Sequence, residues 1–395
     1  MSQWQQTTLG DVCEVLDKFR KPITKRDRTK GPYPYYGATG ILDYVIDYLF
    51  DERLVLIGED GAKWGAGDRT AFPADGKYWV NNHAHVIRPD RDVIDDNWII
   101  YYLNFADLST HITGLTVPKL NQAKLKEIPL LLPSLSEQER IVSVLDEAFE
   151  AIDTAIVNTE KNLLNTEELF QSILDQQFSD LDSDESEWQQ KKLSDLFKVG
   201  SSKRVLKSQW KSEGVPFYRG REITRLSVDG FVDNELFISE NDYQEYSEKY
   251  GVPEAGDIMI TAIGTIGNSY IVNAKDRFYF KDASVLWLKK QTSIKSSFIN
   301  YWLKSSSFFS QLDEGNGATV DTLTIKKLQN LMIFTPSLFE QERIVSVLDE
   351  ATTSVQALRD GLLSKLAGLE ELKQSVLEKA FSGELTDSVL EEAGV

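Results

Sequence analysis

Three histidines and one cysteine are the side chains of this sequence best suited to catalysis or metal binding. His83 and His85 alternate on a predicted strand and so share a face, but a third metal ligand has no obvious source. Cys13 lacks the context of a catalytic triad, which favours a small buried hydrophobe over a nucleophile. The stretch LVLIGEDGAKWGAG resembles a nucleotide loop but lacks the GxxxxGK[ST] spacing. We therefore predict no catalytic residue and no metal site, and interpret the Gly-rich stretches as turns.

Basic residues cluster early in each half of the chain. Seven cations lie between Lys18 and Lys30, against one carboxylate, and ten lie between Lys191 and Arg225, against three. Two such clusters at corresponding places, interleaved with tyrosines, indicate phosphate contacts, and nearby polar side chains are of the types that read base edges. The predicted DNA contacts are Arg20, Lys21, Lys25, Arg26, Arg28, Tyr36, Lys63, Asn82, His83 and Lys119, and then Lys203, Arg204, Lys207, Tyr218, Arg219, Arg221, Thr265, Asn268, Asp282 and Lys326.

The net charge of −19 argues against DNA binding only when it is taken over the whole chain. Residues 135–187 and 338–395 carry −13 and −7, whereas residues 1–134 and 188–337 carry −2 and +3. The acidity therefore belongs to two short segments. The single cysteine fits a reducing cytoplasm, and the sequence contains neither a long apolar run nor a signal region. We expect a cytoplasmic protein without a membrane partner.

One segment occurs twice. PSLSEQERIVSVLDEA begins at Pro133 and PSLFEQERIVSVLDEA at Pro336, and the two differ only at Ser136 and Phe339. The same offset of 203 residues aligns QSILDQQFS with QSVLEKAFS, so the repeated part is a rigid unit without insertions. A second offset, of 184, aligns WQQTTLGDV with WQQKKLSDL. The chain is therefore ordered variable, constant, variable, constant.

Each constant segment predicts a long helix. Ser134 with Glu137, and Ser337 with Glu340, have the spacing of a capping box. No Gly or Pro interrupts residues 135–178, and side chains recur at heptad spacing. The predicted seam positions are Ile152, Thr159, Thr166 and Ile173, flanked by Ile156, Leu163 and Phe170, and in the second copy Val355, Leu362, Leu369 and Val376. One helix cannot bury such a stripe alone, so we predict that the two pair as an antiparallel intramolecular coiled coil.

The near-identity of the two segments also indicates a surface that docks two copies of one partner. The predicted partner contacts are Glu137, Gln138, Arg140, Ile141 and Leu145, and in the second copy Glu340, Gln341, Arg343, Ile344 and Leu348. The variable segments mix short strands with turns: RLVLIGEDG, YWVNNHAHVIR, DIMITAIGTIGNSYIV and ASVLWLKK predict strands, and NWIIYYL and SFINYWL predict helices. The predicted fold class is α+β, with two diverged α/β domains separated by two long antiparallel helices in a pseudo-twofold repeat.

These motifs resemble the specificity subunit of Type I restriction–modification systems. The pattern GxTxxxL…L…PSLxEQxRIVxxLD occurs twice, and the leading WxxxxLxD, the VNNHAHVIRP segment and the ending LKQSVLEKAFSGEL are similar as well. The resemblance covers essentially the whole chain. It implies target-recognition domains at 1–134 and 188–337, a central conserved helical region with a linker at 135–187, and a C-terminal conserved helical region at 338–395.

The resemblance also implies a function. Each target-recognition domain would read one half of an asymmetric bipartite DNA site. The helices would set the gap and dock two methyltransferase subunits, which methylate adenine, and through them restriction subunits. S-adenosylmethionine and ATP with Mg would be bound by those partners, so this chain would be non-catalytic and would hold no cofactor.

Two other functions fit the same sequence. The chain could be a stand-alone DNA-binding or adaptor protein that has this architecture without methyltransferase partners. It could instead be a hydrolase or transferase that uses the face carrying His83 and His85. Adenine methylation at one gapped sequence, by the complex and not by the chain alone, would distinguish the first interpretation from both.

Overall fold

The structure of the chain, a computed structural model, describes residues 4–114, 116–179, 188–312 and 322–385. The second copy of the GxT pattern, at Gly317 and Thr319, lies outside these ranges. The helices of the described residues are α1 Leu9–Val12, α2 Asp96–Phe105, α3 Gln122–Lys126, α4 Leu135–Ser179, α5 Leu193–Leu196, α6 Gly220–Asp229, α7 Glu240–Tyr250, α8 Ser296–Trp302, α9 Ser306–Phe309, α10 Ile325–Asn330 and α11 Leu338–Ser382.

The strands of the described residues are short. They are β1 Gln5–Thr8, β2 Cys13–Val15, β3 Lys30–Gly37, β4 Gly40–Val45, β5 Phe50–Asp51, β6 Leu54–Gly58, β7 Ala71–Ala74, β8 Lys77–Val80, β9 Ala84–Pro89, β10 Pro129–Leu132, β11 Gln189–Lys192, β12 Phe197–Gly200, β13 Val215–Tyr218, β14 Phe237–Ile238, β15 Ile258–Thr261, β16 Ser269–Ile271, β17 Tyr279–Phe280, β18 Val285–Lys290 and β19 Met332–Thr335.

The chain divides into two compact units. Unit 1 comprises Met1–Lys161 and Leu362–Val395, and unit 2 comprises Asn162–Gly361. Each unit therefore contains the first part of one long helix and the last part of the other. The predicted domain boundaries were placed where the sequence repeat begins and ends. The boundaries of the compact units instead fall within the long helices.

The two units have similar sheet topologies, which differ by one strand in the second sheet. Unit 1 has a sheet ordered β2-β9-β6-β7, a second ordered β4-β3-β8-β5, and the ribbon β1-β10. Unit 2 has a sheet ordered β12-β18-β15-β16, a second ordered β14-β13-β17, and the ribbon β11-β19. The parallel pairing of β3 with β8 recurs in that of β13 with β17. The α+β class and the relation between the variable domains are confirmed.

In unit 1 the long helices pack against α2. Ile141 and Leu145 of α4 and Leu377 and Phe381 of α11 belong to one hydrophobic core with Trp98 of α2. The ring of Phe381 lies edge-on to that of Trp98, with centroids 4.9 Å apart. Burying an aromatic side chain of this size stabilises a fold by about 1.5–3 kcal/mol. The start of one helix and the end of the other are thus fastened to the same domain.

Unit 2 repeats this arrangement with the helices exchanged. Leu174 and Phe178 of α4 and Ile344 and Leu348 of α11 share a core with Phe298 of α8. The Phe178 and Phe298 rings lie 5.3 Å apart. The offset of 203 relates Phe178 to Phe381. In both copies, residues at the beginning of the helix pack into the core of one unit, and residues at its end pack into the core of the other. This intramolecular packing explains much of the repetition.

The predicted seam and helix starts are largely confirmed. Thr159 and Thr166 are buried, and each hydroxyl donates to the carbonyl four residues earlier, at 2.7 Å, which satisfies a polar group inside the seam. The hydroxyl of Ser134 accepts from the Glu137 N–H at 3.4 Å, as a helix cap does. The reciprocal half of the capping box is not formed, because the Glu137 carboxylate accepts from the Trp4 indole instead.

One predicted strand is wrong in extent. YWVNNHAHVIR is divided into β8 and β9 because the Asn81 side chain accepts from the His83 N–H at 2.8 Å and closes a turn. The Gly-rich turn predicted within DIMITAIGTIGNSYIV is confirmed, because β15 and β16 pair as a hairpin whose loop contains Gly264 and Gly267 at φ values of 80° and 94°, which favour glycine. The predicted helices NWIIYYL and SFINYWL are confirmed as parts of α2 and α8.

Candidate nucleic-acid interface

Loops from distant parts of the sequence meet at one edge of unit 1. The N–H of Asn81 donates to the carbonyl of Tyr36 at 3.0 Å. The N–H of Glu59 donates to the carbonyl of His83 at 2.9 Å, and the carbonyl of Glu59 accepts from Leu120 at 2.8 Å. These bonds define loop surface 1, which consists of residues 37–39, 59–70, 81–83 and 116–120.

Unit 2 repeats these three hydrogen bonds. Lys281 donates to the carbonyl of Tyr218 at 2.8 Å, Ala262 to that of Ser284 at 3.0 Å, and Leu323 to that of Ala262 at 2.8 Å. Leu120 and Leu323 are related by the offset of 203. The equivalent loop surface 2 consists of residues 219, 262–268, 281–284 and 322–324.

The side chains at equivalent positions of the two surfaces are unlike. The bridge between Asp60 and Lys119 in unit 1 corresponds to that between Ile263 and Thr322 in unit 2. The equivalent pairs are Asn81 and Lys281, Glu59 and Ala262, Asp60 and Ile263, His83 and Ser284, and Lys119 and Thr322. Asn81, Glu59 and Ala262 are buried, whereas both members of the other three pairs are at least partly exposed. At those three positions one backbone framework presents two different sets of side chains, which is what two readers of different sequences require.

A buried charge cluster supports loop surface 1. The Arg20 guanidinium contacts the carboxylates of Asp17, at 3.1 Å, and Glu59. Lys119 Nζ lies 2.7 Å from Glu59. His85 Nδ1 lies 2.6 Å from Asp17, and its Nε2 lies 2.7 Å from a backbone carbonyl. Both ring nitrogens of this buried histidine thus face acceptors.

The charges of this cluster are balanced within it. Burial alone would raise the pKa of Asp17, but the hydrogen bond and charge of His85, a backbone N–H and Arg20 together hold that pKa below its ordinary value. The hydrogen bond to Glu59 raises the pKa of Lys119. Ligand-type atoms of Asp17, Glu59 and His85 lie within 4.8 Å of one another, as around a metal ion. Because Arg20 and Lys119 already neutralise the carboxylates, we interpret the group as an ion-pair cluster.

Arg20 and Arg204, which the sequence alignment predicts to be equivalent DNA contacts, have different environments in the structure. Arg20 has a side chain only 11% exposed, and its donors are already used by carboxylates and backbone carbonyls. Arg204 is exposed. In unit 2, Ala262 and Leu286 occupy the places of Glu59 and His85. Arg20 is therefore a structural cation, and the prediction of a phosphate contact is retained for Arg204.

Most of the other predicted DNA contacts are exposed. These are Lys21, Lys25, Arg26, Lys63, Asn82, His83, Lys203, Lys207, Arg221, Thr265 and Lys326. Half-buried ones are Arg28, Tyr36, Lys119, Tyr218, Arg219, Asn268 and Asp282. Loop surface 1 brings together Lys63, Asn82, His83 and Lys119, and loop surface 2 brings together Arg219, Thr265, Asn268 and Asp282. The remainder lie outside the two surfaces. Tyr36 is the last residue but one of β3 and Tyr218 ends β13, Arg221 is on α6 and Lys326 on α10, Lys25 to Arg28 precede β3, and Lys21, Lys203 and Lys207 lie in the segments that follow β2 and β12.

Three of the predicted arginine contacts have structural partners. The Arg28 guanidinium lies 4.4 Å from the Tyr35 ring and 3.2 Å from Asp43. Arg219 and Arg221 both pair with the buried carboxylate of Glu222, at 2.8 and 3.0 Å. These guanidiniums are oriented before any ligand arrives, which lowers the entropy lost when they bind one.

Sequence reasoning missed residues that only the fold brings to these surfaces. Thr224 of α6 accepts from Asn268 Nδ2 at 3.2 Å, and its hydroxyl lies 3.1 Å from that of Thr265. Asp60 contacts His83 on loop surface 1. No sequence offset points to Asp60, because it meets His83 and Lys119 only through tertiary pairing.

The predicted partner contacts fall into two groups. Gln138, Ile141, Leu145, Gln341, Ile344 and Leu348 are buried, with at most 3% exposure. They are occupied by their own unit, because the apolar ones fill its core and each Gln bonds to backbone groups. The partly exposed or exposed ones are Glu137, Arg140, Glu340 and Arg343. A partner could reach only this second group.

Both long helices carry a further repeated stripe that is exposed. Glu139, Ser143 and Glu147 of α4 recur as Glu342, Ser346 and Glu350 of α11, and all six are exposed. The spacing of four residues places each set on one helix face. Glu342 pairs with Lys295 at 2.6 Å, but no hydrophobic core of the described residues explains the repetition.

Comparison with known proteins identifies the family. The model described as "Type I restriction modification DNA specificity domain" matches residues 1–166 and 185–366. The chain belongs to this family. A protein of Haemophilus influenzae named as a type I restriction enzyme specificity subunit is 32% identical over 382 residues, which cover 91% of each chain. The type I restriction enzyme EcoDI specificity subunit of Escherichia coli is 22% identical over 410 residues, covering 97% of this chain and 89% of its own.

Solved structures of the family share the fold. A chain from a study of complex assembly and conformational transition of the type I R-M system aligns with a TM-score of 0.73 at 20% identity, covering 96% of this chain and 98% of its own. The HsdS subunit from Thermoanaerobacter tengcongensis aligns with a TM-score of 0.56 at 19% identity, covering 97% of both chains. Within the described residues of this specificity subunit, no helix is long and apolar enough to cross a bilayer.

Proposed function

We propose that this specificity subunit recognises an asymmetric bipartite DNA sequence, with unit 1 reading one half-site through loop surface 1 and unit 2 reading the other through loop surface 2. The observation that carries the proposal is the set of three equivalent hydrogen bonds, which holds unlike side chains on two copies of one framework. A shared framework accounts for a shared mode of docking on DNA. Unlike side chains account for two different base sequences.

We further propose that the long helices set the gap and dock two methyltransferase subunits, through which restriction subunits join. S-adenosylmethionine would bind to the methyltransferase subunits, ATP and Mg to the restriction subunits, and this cytoplasmic chain would supply recognition without catalysis. Family membership supports this division of labour. The exposed stripe on α4 and its copy on α11 support two similar docking surfaces. Their neighbours Ser136 and Phe339 differ, and Phe339 is 77% exposed, so the two surfaces are similar and not identical.

Adenine methylation at the target sequence should require both this chain and its methyltransferase subunit. When the chain is co-expressed with its methyltransferase subunit, modified adenines should map to one gapped sequence, and neither protein alone should produce them. Exchanging residues 188–337 for the equivalent segment of another family member should change one half-site. Sequencing that detects methyladenine measures both results. Methylation by the chain alone, or a change in both half-sites, would contradict the proposal.

The docking surfaces make a second prediction. Changing Glu139 and Glu147 together to lysine should weaken binding of one methyltransferase subunit at least tenfold, because a charge-complementary surface becomes repulsive. Titration calorimetry should then count one tight site where the wild type has two. Glu160→Lys, exposed on the same helix and outside the stripe, is the matched control. If the double variant still binds two methyltransferase subunits with unchanged affinity, the stripe is not part of the docking surface.

A further inference from the structure

Unit 2 contains a basic cleft of about 890 Å³ that belongs to neither loop surface. It lies along β12, the edge strand of the sheet β12-β18-β15-β16. Its lining includes five lysines, together with Trp287 and Tyr250, and the lysines are Lys198, Lys203, Lys249, Lys289 and Lys290. Five cations around one open cleft are unusual in a chain whose net charge is −19.

Most of these lysines are not arranged for the stability of the fold, although Lys249 forms an exposed ion pair with Glu245, four residues earlier on α7, at 2.8 Å. Lys198 lies directly opposite Lys289 on the paired strands β12 and β18. Like charges in this position are about 5 Å apart at Cβ and destabilise a strand pair. Lys289 is 3.1 Å from Glu254, which is itself 70% exposed. Among the described residues, no carboxylate pairs with the ammonium groups of Lys198, Lys203 or Lys290. The cleft therefore holds uncompensated positive charge.

Unit 1 supplies an internal comparison. Its equivalent strand pair places Glu14 opposite Arg88, at 2.8 Å, and a second carboxylate, Glu52, lies 2.6 Å from the same guanidinium. The equivalent of Lys198 is therefore an acidic residue, and the strand edge of unit 1 is neutralised. The basic cleft is a property of unit 2 and not of the shared framework.

The cleft is continuous with loop surface 2. The Ser201 hydroxyl donates to the carbonyl of Val285 at 3.2 Å and accepts from the N–H of Ala283 at 3.3 Å. The segment that carries Lys203 is thereby attached to loop 281–284. From Val285 to Lys290 the strand β18 extends by about 17 Å at 3.4 Å per residue. This length equals the rise of about five base pairs along the axis of a DNA duplex, at 3.4 Å each.

We propose that the cleft binds the sugar–phosphate backbone of DNA that flanks the half-site read by unit 2. The proposal rests on the proposed function, because it takes the orientation of the duplex from loop surface 2. Ammonium groups on flexible stems bind phosphates without regard to base sequence. The cleft thus adds affinity on one side of the target only, since the equivalent strand edge in the described part of unit 1 is neutralised. Recognition of the complete site is asymmetric in its flanks as well as in its half-sites.

The test uses the full chain with its methyltransferase subunit and duplexes that contain the mapped target. Removing five base pairs from the flank beyond one half-site should weaken binding of the wild type, whereas the same truncation at the other end should not. Lys198→Glu should abolish this dependence and lower the slope of log affinity against log salt by about one for each phosphate that the variant no longer neutralises. Fluorescence anisotropy at several salt concentrations measures both quantities.

The variant is chosen so that loss of binding is not loss of folding. Lys198→Glu restores the opposite-charge pair that unit 1 has, so its melting temperature should equal or exceed that of the wild type. Lys275→Glu makes the same charge change in the turn after β16, at the end of that strand away from loop surface 2, and should leave flank dependence intact. If Lys198→Glu and the wild type depend equally on the flank, and both still bind the target specifically, the cleft does not bind flanking DNA. If Lys198→Glu instead loses methyltransferase binding and keeps its flank dependence, the cleft binds an acidic protein partner and not DNA. Absence of any specific binding by the wild type would instead refute the proposed function.

Discussion

Replacing Arg20 by alanine is expected to lower the free energy of unfolding of unit 1 by about 3 kcal/mol, the low end of the range for removing one member of a buried ion pair. Asp17 and Glu59, whose side chains are 8% and 9% exposed, would lose their shared cation. The loss is limited because His85 still contacts Asp17 and Lys119 still contacts Glu59. Hydrogen exchange read by mass spectrometry measures this change in the peptides of β6 and β9.

Arg204 is the matched control, because the sequence places it at the equivalent position. Arg204→Ala should alter stability by less than about 0.5 kcal/mol, as surface substitutions do. It should weaken DNA binding and lower the salt slope by about one. Equal stability losses in the two variants would show that Arg20 is not the structural cation of the cluster. A normal fold with weaker DNA binding in Arg20→Ala would restore it as a phosphate contact.

The same cluster predicts how unit 1 responds to acid. The pKa of Asp17 is held below its ordinary value, so its contribution to stability is complete above that value, about 4. The stability contributed by Asp17 is lost as the pH falls from about 4 through the lowered pKa that this group has in the folded state. Unit 2 has Ala262 and Leu286 at the equivalent places of Glu59 and His85, so unit 1 should lose more exchange protection than unit 2 between about pH 5 and pH 3.

Replacing Gln138 by alanine is expected to destabilise unit 1 by about 3–5 kcal/mol, since several buried backbone groups would lose their partners and each such loss costs about 1–3 kcal/mol. The Gln138 side chain is fully buried. It accepts from the N–H of Asp95 at 2.9 Å and donates to the carbonyls of Val93 and Pro133 at 3.1 and 3.0 Å. Asp95 caps α2, so this amide joins the start of α4 to the start of α2. Hydrogen exchange in α2 measures the effect.

Gln341 provides the reciprocal experiment. It accepts from the N–H of Lys295 and donates to the carbonyl of Pro336, both at 2.9 Å, so Gln341→Ala should destabilise unit 2 in the same way. Each variant should release exchange protection in its own unit. Glu139→Ala changes the exposed neighbour and should be nearly neutral. If either Gln variant is as stable as wild type but no longer binds the methyltransferase subunit, the repeated Gln serves the partner and not the fold.

The sequence by itself was sufficient to predict the two long helices, their pairing, the repeated domain and the family. Each of these depends on a signal that is local or periodic. Heptad spacing identifies buried positions such as Thr159 without knowledge of the partner helix, and the two constant offsets, 203 and 184, align corresponding elements directly. The division of YWVNNHAHVIR into two strands was missed, because one Asn side chain closes the turn and that bond is not visible in a hydrophobic pattern.

The tertiary structure alone decided which of the repeated and charged residues are available to a ligand. Gln138 and Ile141 belong to a motif that suggested a partner surface, but contacts with residues far away in the sequence bury both. Arg20 and Arg204 occupy aligned positions and have opposite environments, since the carboxylate of Glu59 comes from the loop after β6 and the ring of His85 from β9. The lysine cleft is likewise assembled from β12, β18 and the end of α7. Such juxtapositions arise from strand pairing across long sequence separations, for which neither composition nor periodicity carries a signal.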